Sequence, residues 1–229
     1  MRTQLISALD LPELSQALEI VDRAGDAVEW YKVGKQLFTH YGPQVVGELK
    51  SRGKKVFLDM KFHDIPNTVA QAIRSGALIG ADMINVHASG GPAMLSAAAE
   101  AMSETGRIVI GVTVLTSMDA GELSAIGVDA TPEEQVLRLA GLVKSAGLQG
   151  VVCSALELPV LRKTFGRDFL TVVPGIRPAG AAAGDQKRIM TPGDAARAGA
   201  DFIVVGRPIL AAADPAAAAR AIQDELASA

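Results

Sequence analysis

"VFLDMKFHDIPNTVAQAIRSGALIGADMINVH", residues 56–87, contains one strand–helix–strand unit almost complete. Residues 55–60 form a short apolar run, 66–80 place Val, Ala, Ile and Leu at helical spacing, and 83–87 return to an apolar, β-branched run. Gly80 stands where a left-handed helix cap favours glycine, as do Gly53, Gly106 and Gly147 elsewhere. Two strands joined through a helix read as a parallel pair, because parallel neighbours need a crossover of that length.

The same alternation extends in both directions. Further strands are expected near 4–9, 29–34, 107–114, 150–154, 170–174 and 202–206, with helical spacing at 12–24, 92–104 and 132–146. Hydrophobic residues make up 49% of the chain but aromatics only 4%, so the core is chiefly Val, Ile, Leu and Ala. Such a core suits parallel strands covered on both faces. Eight β–α alternations within 229 residues predict an α/β fold, a single-domain (β/α)8 TIM barrel over residues 1–229. A doubly wound dinucleotide-binding sheet is the competitor, but no G-x-G-x-x-G follows the first strand. Two segments break the rhythm, 116–131 after strand five and 175–190 after strand seven. Both are expected to be extended connections, and loops of that length are often lids or binding loops.

The net charge of −3 argues against a nucleic-acid partner, although a few basic residues can still converge on a small anion. Cys153 is the only cysteine, which excludes an internal disulfide and a cysteine metal cluster and fits a reducing cytoplasm. The opening "MRTQLISALDL" reads as a first strand rather than a signal peptide. No run approaches the roughly 18 apolar residues of a membrane span. A soluble cytoplasmic protein is the expectation.

In a barrel of this kind the chemistry sits at the carboxyl ends of the strands. Those ends carry Asp10, Lys32, Asp59 with Lys61, His87, Thr116, Ser154, Arg177 and Gly206-Arg207. Each also has a plainer reading. Asp10 is placed to cap a helix beginning near Pro12, and Lys32 to snorkel to the surface. His87 fits a hydrogen-bonded structural histidine, Ser154 a partner for backbone, and Cys153 a small core residue. No His, Cys and carboxylate set has metal-ligand spacing. The segment "VVGRPI", 204–209, is more specific. It ends a strand in Gly206-Arg207 and places Pro208 at a helix start, an arrangement suited to phosphate, with Arg177 and Gln186 available to complete the cradle.

Asp59 and Lys61, two apart on a strand, share one face. Acids on either side of Lys61 favour its ammonium form, whereas Schiff-base chemistry needs a neutral amine. A lysine held charged suits stabilising and then protonating a carbanion. A carboxylate beside it opposes an anionic substrate group yet tolerates its departure as a neutral molecule, so loss of carbon dioxide fits both.

With these residues in view, "DMKFHDIPNT" at 59–68 resembles the D-x-K-x-x-D-I-P-N-T signature of the orotidine 5'-phosphate decarboxylase family. "ALD" at 8–10, "YKVG" at 31–34, "NVHASGG" at 85–91, "PGIRP" at 174–178, "DQKR" at 185–188 and "VVGRPI" at 204–209 agree in order along nearly the whole chain. The resemblance implies a carboxy-lyase converting orotidine 5'-monophosphate to UMP and CO₂ with no cofactor and no metal, the last step of de novo pyrimidine biosynthesis. It further implies a homodimer with shared active sites. On the matching positions it makes Lys32, Asp59, Lys61 and Asp64 a charge network, with Lys61 the proton donor and Asp64 serving the partner's site. It assigns Asp10, Lys32 and, across the interface, Thr68 to the ribose, Ser154 to the pyrimidine and Thr116 to the pocket lining. Arg177, Gln186, Gly206 and Arg207 fall to the phosphate. Metal-dependent sugar-phosphate decarboxylases and aldolases share the shorter D-x-K-x-x-D core, and a non-catalytic phosphate-binding barrel is the alternative from another class.

Overall fold

A computed structural model describes residues 3–178 and 190–229 of the chain. Its eight strands are β1 (Gln4–Ala8), β2 (Trp30–Gly34), β3 (Lys55–Phe62), β4 (Met83–His87), β5 (Ile108–Val112), β6 (Gly150–Val152), β7 (Leu170–Val173) and β8 (Phe202–Val205). They follow one another in chain order around a closed parallel barrel, and β8 returns to β1 in a register running from Gln4↔Phe202 to Ser7↔Val205. Helices occupy the connections, so the molecule is the expected (β/α)8 barrel. Helices Leu14–Ala24, Pro66–Leu78, Gly91–Thr105 and Pro132–Ser145 lie within two residues of the limits read from periodicity. Gly53, Gly80, Gly106 and Gly147 all take positive φ, as the cap reading requires.

Alternation along the strands divides the core in two. Tyr31, Val33, Leu58, Ile84, Val109 and Ile203 point outward into the layer between sheet and helices. Ile6, Trp30, Phe57, Ile110, Val172 and Phe202 point inward and plug the barrel, with the Trp30 and Phe202 rings edge to face at 5.5 Å. Two residues further along the same inward rows, Trp30 is succeeded by Lys32, Phe57 by Asp59 and Val204 by Gly206. The apolar plug is therefore the floor beneath a polar layer.

The amino-terminal end of the barrel also carries charge, used differently. The Asp82 carboxylate accepts from the Val56 N–H at 2.8 Å and pairs with Lys50 at 2.7 Å. The Asp201 carboxylate accepts from the Thr171 N–H at 2.7 Å and pairs with Arg162 at 2.5 Å. Both carboxylates satisfy strand backbone, a structural task.

Residues 116–131 are not the continuous loop expected. Asp119 caps a short helix, Ala120–Ala125, in a capping box with Glu122, and Thr131 with Glu134 forms a second box opening Pro132–Ser145. Side chain to backbone bonds at both starts outweigh the absence of long apolar periodicity. The remainder of the second long connection, 179–189, lies outside the described residues.

Gly150 faces inward where β6 and β7 approach closely. A Cβ there would lie 2.2 Å from the Leu170 carbonyl oxygen, and backbone cannot swing aside as a side chain can. Gly150→Ala should lower unfolding free energy by about 1–3 kcal/mol. The reading is a lower denaturation midpoint at unchanged slope; a wild-type midpoint would contradict the close approach.

Candidate active site

The carboxyl ends of the strands surround a cavity of about 610 Å³ lined by Asp10, Lys32, Asp59, Lys61, Thr116, Arg177, Gly206 and Arg207 among others. A continuous chain of charge runs along one side. Lys32 Nζ donates to Asp10 Oδ1 at 2.8 Å and lies 3.4 Å from Asp59 Oδ2. Lys61 Nζ donates to Asp59 Oδ1 at 2.6 Å. Asp10 thus pairs with Lys32 and is not the helix cap; Glu13 holds that position. Lys32 is only 9% exposed, which removes the snorkelling reading. Gly34 leaves room for the pair, since a Cβ there would come within 3.0 Å of Lys32 Nζ and 3.1 Å of Asp10 Oδ1.

Burial alone would push the Asp59 carboxyl up. The Lys32 and Lys61 ammoniums, with hydrogen bonds from Lys61 and Asn85, overcome it and hold the group below the usual carboxylate value. Burial would likewise pull Lys32 down, but Asp59 and Asp10 hold it above the usual lysine value. The stability Asp59 contributes is therefore complete above the unfolded carboxylate range, ~3.9, and is lost as pH falls through its lower folded value. That of Lys32 is complete below ~10.4 and is lost as pH rises through its higher folded value. Both groups stay charged across neutral pH. His87 differs: burial first, then His63, Lys35 and Lys61, push it down to about 4, with Asp59 opposing. It is neutral at pH 7, and its ring lies 5.4 Å from that of His63.

The local backbone at Lys61 is strained. Its φ of 53° is the only positive value of a non-glycine among the described residues. Such a conformation costs ~1–3 kcal/mol and persists only where the surroundings impose it. The β3–β4 register shifts between Leu58 and Phe62, so β3 runs past the strand end expected at residue 60 as an irregular segment.

Other predicted residues fall in three places. Arg177 and Arg207 enter the cavity after β7 and β8, Arg177 buried and donating to the Ile176 carbonyl at 2.9 Å. Ser154 is fully buried and its hydroxyl accepts from the Leu156 N–H at 3.3 Å; the adjacent Val152 and Cys153 line the cavity, and Ser154 does not. Asp64 and Thr68 lie in an exposed run, 63–68, outside the cavity lining. The Asp64 carboxylate accepts from the Ile65 N–H at 2.7 Å, and Ile65 is 67% exposed. Gln186 lies outside the described residues. Sequence reasoning passed over Asn85, completely buried, which donates to Asp59 Oδ1 at 2.7 Å. Its signal was an amide in the inward row of β4, between Met83 and His87.

A closed parallel barrel with an ammonium–carboxylate–ammonium series over an apolar floor, and two guanidiniums at the same mouth, defines an enzyme site for a small anionic substrate. The family model for orotidine 5'-phosphate decarboxylase / HUMPS family matches residues 3–222. The orotidine 5'-phosphate decarboxylases of Vibrio campbellii and Vibrio parahaemolyticus are 53% and 52% identical over 228 residues, covering 98% of this chain and 98% of each relative. The crystal structure of orotidine 5'-phosphate decarboxylase from Lactobacillus acidophilus superposes with a TM-score of 0.87 at 39% identity, covering 99% of both chains. That of an uncharacterized conserved protein from Geobacillus kaustophilus gives 0.85 at 38%, covering 97% of this chain and 99% of the other. The chain belongs to the orotidine 5'-phosphate decarboxylase / HUMPS family.

Asp59→Asn leaves Lys32 and Lys61 without their shared carboxylate and should destabilise the fold by about 3 kcal/mol at neutral pH. The difference from wild type should shrink as pH falls below about 4, where the unfolded-state carboxyl takes up its proton, and vanish as pH falls through the lower folded value of Asp59. Thermal unfolding at a series of pH values measures it, and a pH-independent difference would contradict the charge assignment.

Proposed function

We propose that this chain decarboxylates orotidine 5'-monophosphate to UMP and CO₂, the last step of UMP biosynthesis, in the cytoplasm and without metal or cofactor. The observation that carries the reading is the Lys32–Asp59–Lys61 series, with contacts of 3.4 and 2.6 Å, at one side of a cavity that also receives Arg177 and Arg207.

In the reaction the bond from C6 to the substrate carboxylate breaks. CO₂ leaves without the electron pair, which remains on C6, and the Lys61 ammonium donates the proton that converts C6 to C–H. Solvent then restores the proton to Lys61. Asp59 faces the departing carboxylate, while Asp10 and Lys32 hold the ribose. Thr116 lines the pocket and Ser154 adjoins the pyrimidine. Arg177, Gly206 and Arg207, with Gln186 from the segment outside the described residues, bind phosphate.

General acid catalysis supplies about 10²–10⁴-fold, roughly 3–5 kcal/mol, of the ~8–23 kcal/mol by which enzymes lower barriers. Preorganised charge and phosphate binding energy supply the rest. Lys61→Ala should lower kcat by at least about 10²-fold with the fold intact, and wild-type turnover should withstand EDTA. Loss of orotidylate absorbance reads both; near-wild-type kcat in the variant, or EDTA sensitivity, would sink the mechanism.

A homodimer with shared sites accounts for the exposed segment 63–68. Asp64 and Thr68 lie outside the cavity lining of their own chain among the described residues, and Ile65 is apolar yet exposed. Mixing Lys61→Ala with Asp64→Ala under subunit exchange should restore about a quarter of wild-type activity. Half the dimers in an equal mixture are hybrids, and each hybrid has one site with neither lesion. Exchange confirmed by mass without recovered activity would exclude sharing.

A further inference from the structure

We infer that Asn85 is the positioning residue that holds the Lys61 ammonium and the Asp59 carboxylate in their working geometry, an inference that rests on the decarboxylase reading above. The register of β3 against β4 runs Leu58↔Ile84 and then Phe62↔Val86. Three residues of β3, Asp59, Met60 and Lys61, therefore face a single residue of β4, which is Asn85. A bulge of this kind removes backbone groups from the ladder. The Asn85 side chain replaces what is lost: its Oδ1 accepts from the Lys61 N–H at 2.7 Å. Its Nδ2 donates to Asp59 Oδ1 at 2.7 Å.

One fully buried amide thus ties the lysine backbone and the carboxylate together. Its orientation is fixed, because only the carbonyl end can accept from Lys61 and only the amino end can donate to Asp59. The oxygen it orients is the one that receives Lys61 Nζ at 2.6 Å, which leaves Oδ2 towards Lys32 at 3.4 Å. Lys61 holds a φ of 53° at this point. Without the amide, nothing in the ladder holds its N–H there, and a return to ordinary strand geometry would swing the ammonium off Asp59. Asn85 itself stays outside the cavity lining, so it acts through Lys61 and Asp59 rather than on substrate.

The residue type follows from the geometry. A leucine of similar size would leave the Lys61 N–H unmatched and deprive Asp59 Oδ1 of one of its two donors. A carboxylate would repel Asp59, yet a protonated carboxyl can both accept and donate as the amide does. Substitution should reduce kcat and spare KM, since the phosphate-side residues are untouched. A displacement of about 1 Å in a reacting group costs on the order of 10²-fold.

Three measurements test this. Asn85→Ala should lose about 10²-fold in kcat with KM within about threefold, and its crystal structure should show Lys61 out of positive φ with Nζ withdrawn from Asp59. In Asn85→Asp, kcat relative to wild type should recover as pH falls through the pKa of the introduced carboxyl, which burial beside Asp59 raises above ~3.9. The Asn85→Ala ratio should stay flat. Wild-type kcat in Asn85→Ala, an unmoved Lys61, or no recovery in Asn85→Asp overturns the inference, as does failure of both variants to fold, which would make Asn85 purely structural. If wild type does not consume orotidine 5'-monophosphate, the decarboxylase reading fails while the crystallographic arm still decides the geometry.

Discussion

The polar layer depends on one carboxylate. Asp59 receives Lys32 from β2, Lys61 from its own strand and Asn85 from β4, so three adjacent strands are joined through its two oxygens. An ammonium as buried as Lys32 is costly without a counter-charge, and an isolated carboxylate is no cheaper. Opposite charges on either side, from Asp10 and Lys61 and from each other, let Lys32 and Asp59 stay ionised where burial alone would disfavour either charge. The barrel converts that requirement into position, because inward rows on neighbouring strands put alternate residues at one level.

The floor matters as much as the charges. Ile6, Trp30, Phe57 and Phe202 fill the barrel beneath the series, so the cavity lies at the carboxyl end. Apolar packing below limits the water that can screen the charges above, so the same Coulombic contacts count for more than they would at the surface. At the opposite end Asp82 and Asp201 bond strand backbone and line neither this cavity nor its floor. Identical chemical groups thus bond strand backbone at one end and line the cavity at the other.

Strain enters where the series meets the backbone. Lys61 occupies the left-handed region within an irregular stretch of β3, and the amide of Asn85 is its local hydrogen-bond partner. A flexible side chain on a relaxed strand would sample many ammonium positions. A constrained backbone and a shared carboxylate narrow them before any ligand arrives, which is the sense in which such a site is preorganised.

Much of this architecture is written locally. Apolar runs of strand length, helical spacing between them and glycines at helix ends are properties of neighbouring residues, and the limits they set fall close to the observed ones. Helix Ala120–Ala125 was less visible because two side chains, Asp119 and Glu122, define its start rather than a periodic face. Placing Asp10, Lys32, Asp59, Lys61, Arg177 and Arg207 around one cavity was legible once the barrel was assumed, since strand ends in this fold share one mouth. What the chain alone determined was this alternation and the charge carried at each strand end. Only the tertiary structure decided that Asn85 bridges Asp59 and Lys61, that Lys61 is strained and that Ser154 bonds backbone. Those facts depend on the register between strands and on a bulge, and register arises from contacts between residues far apart in sequence.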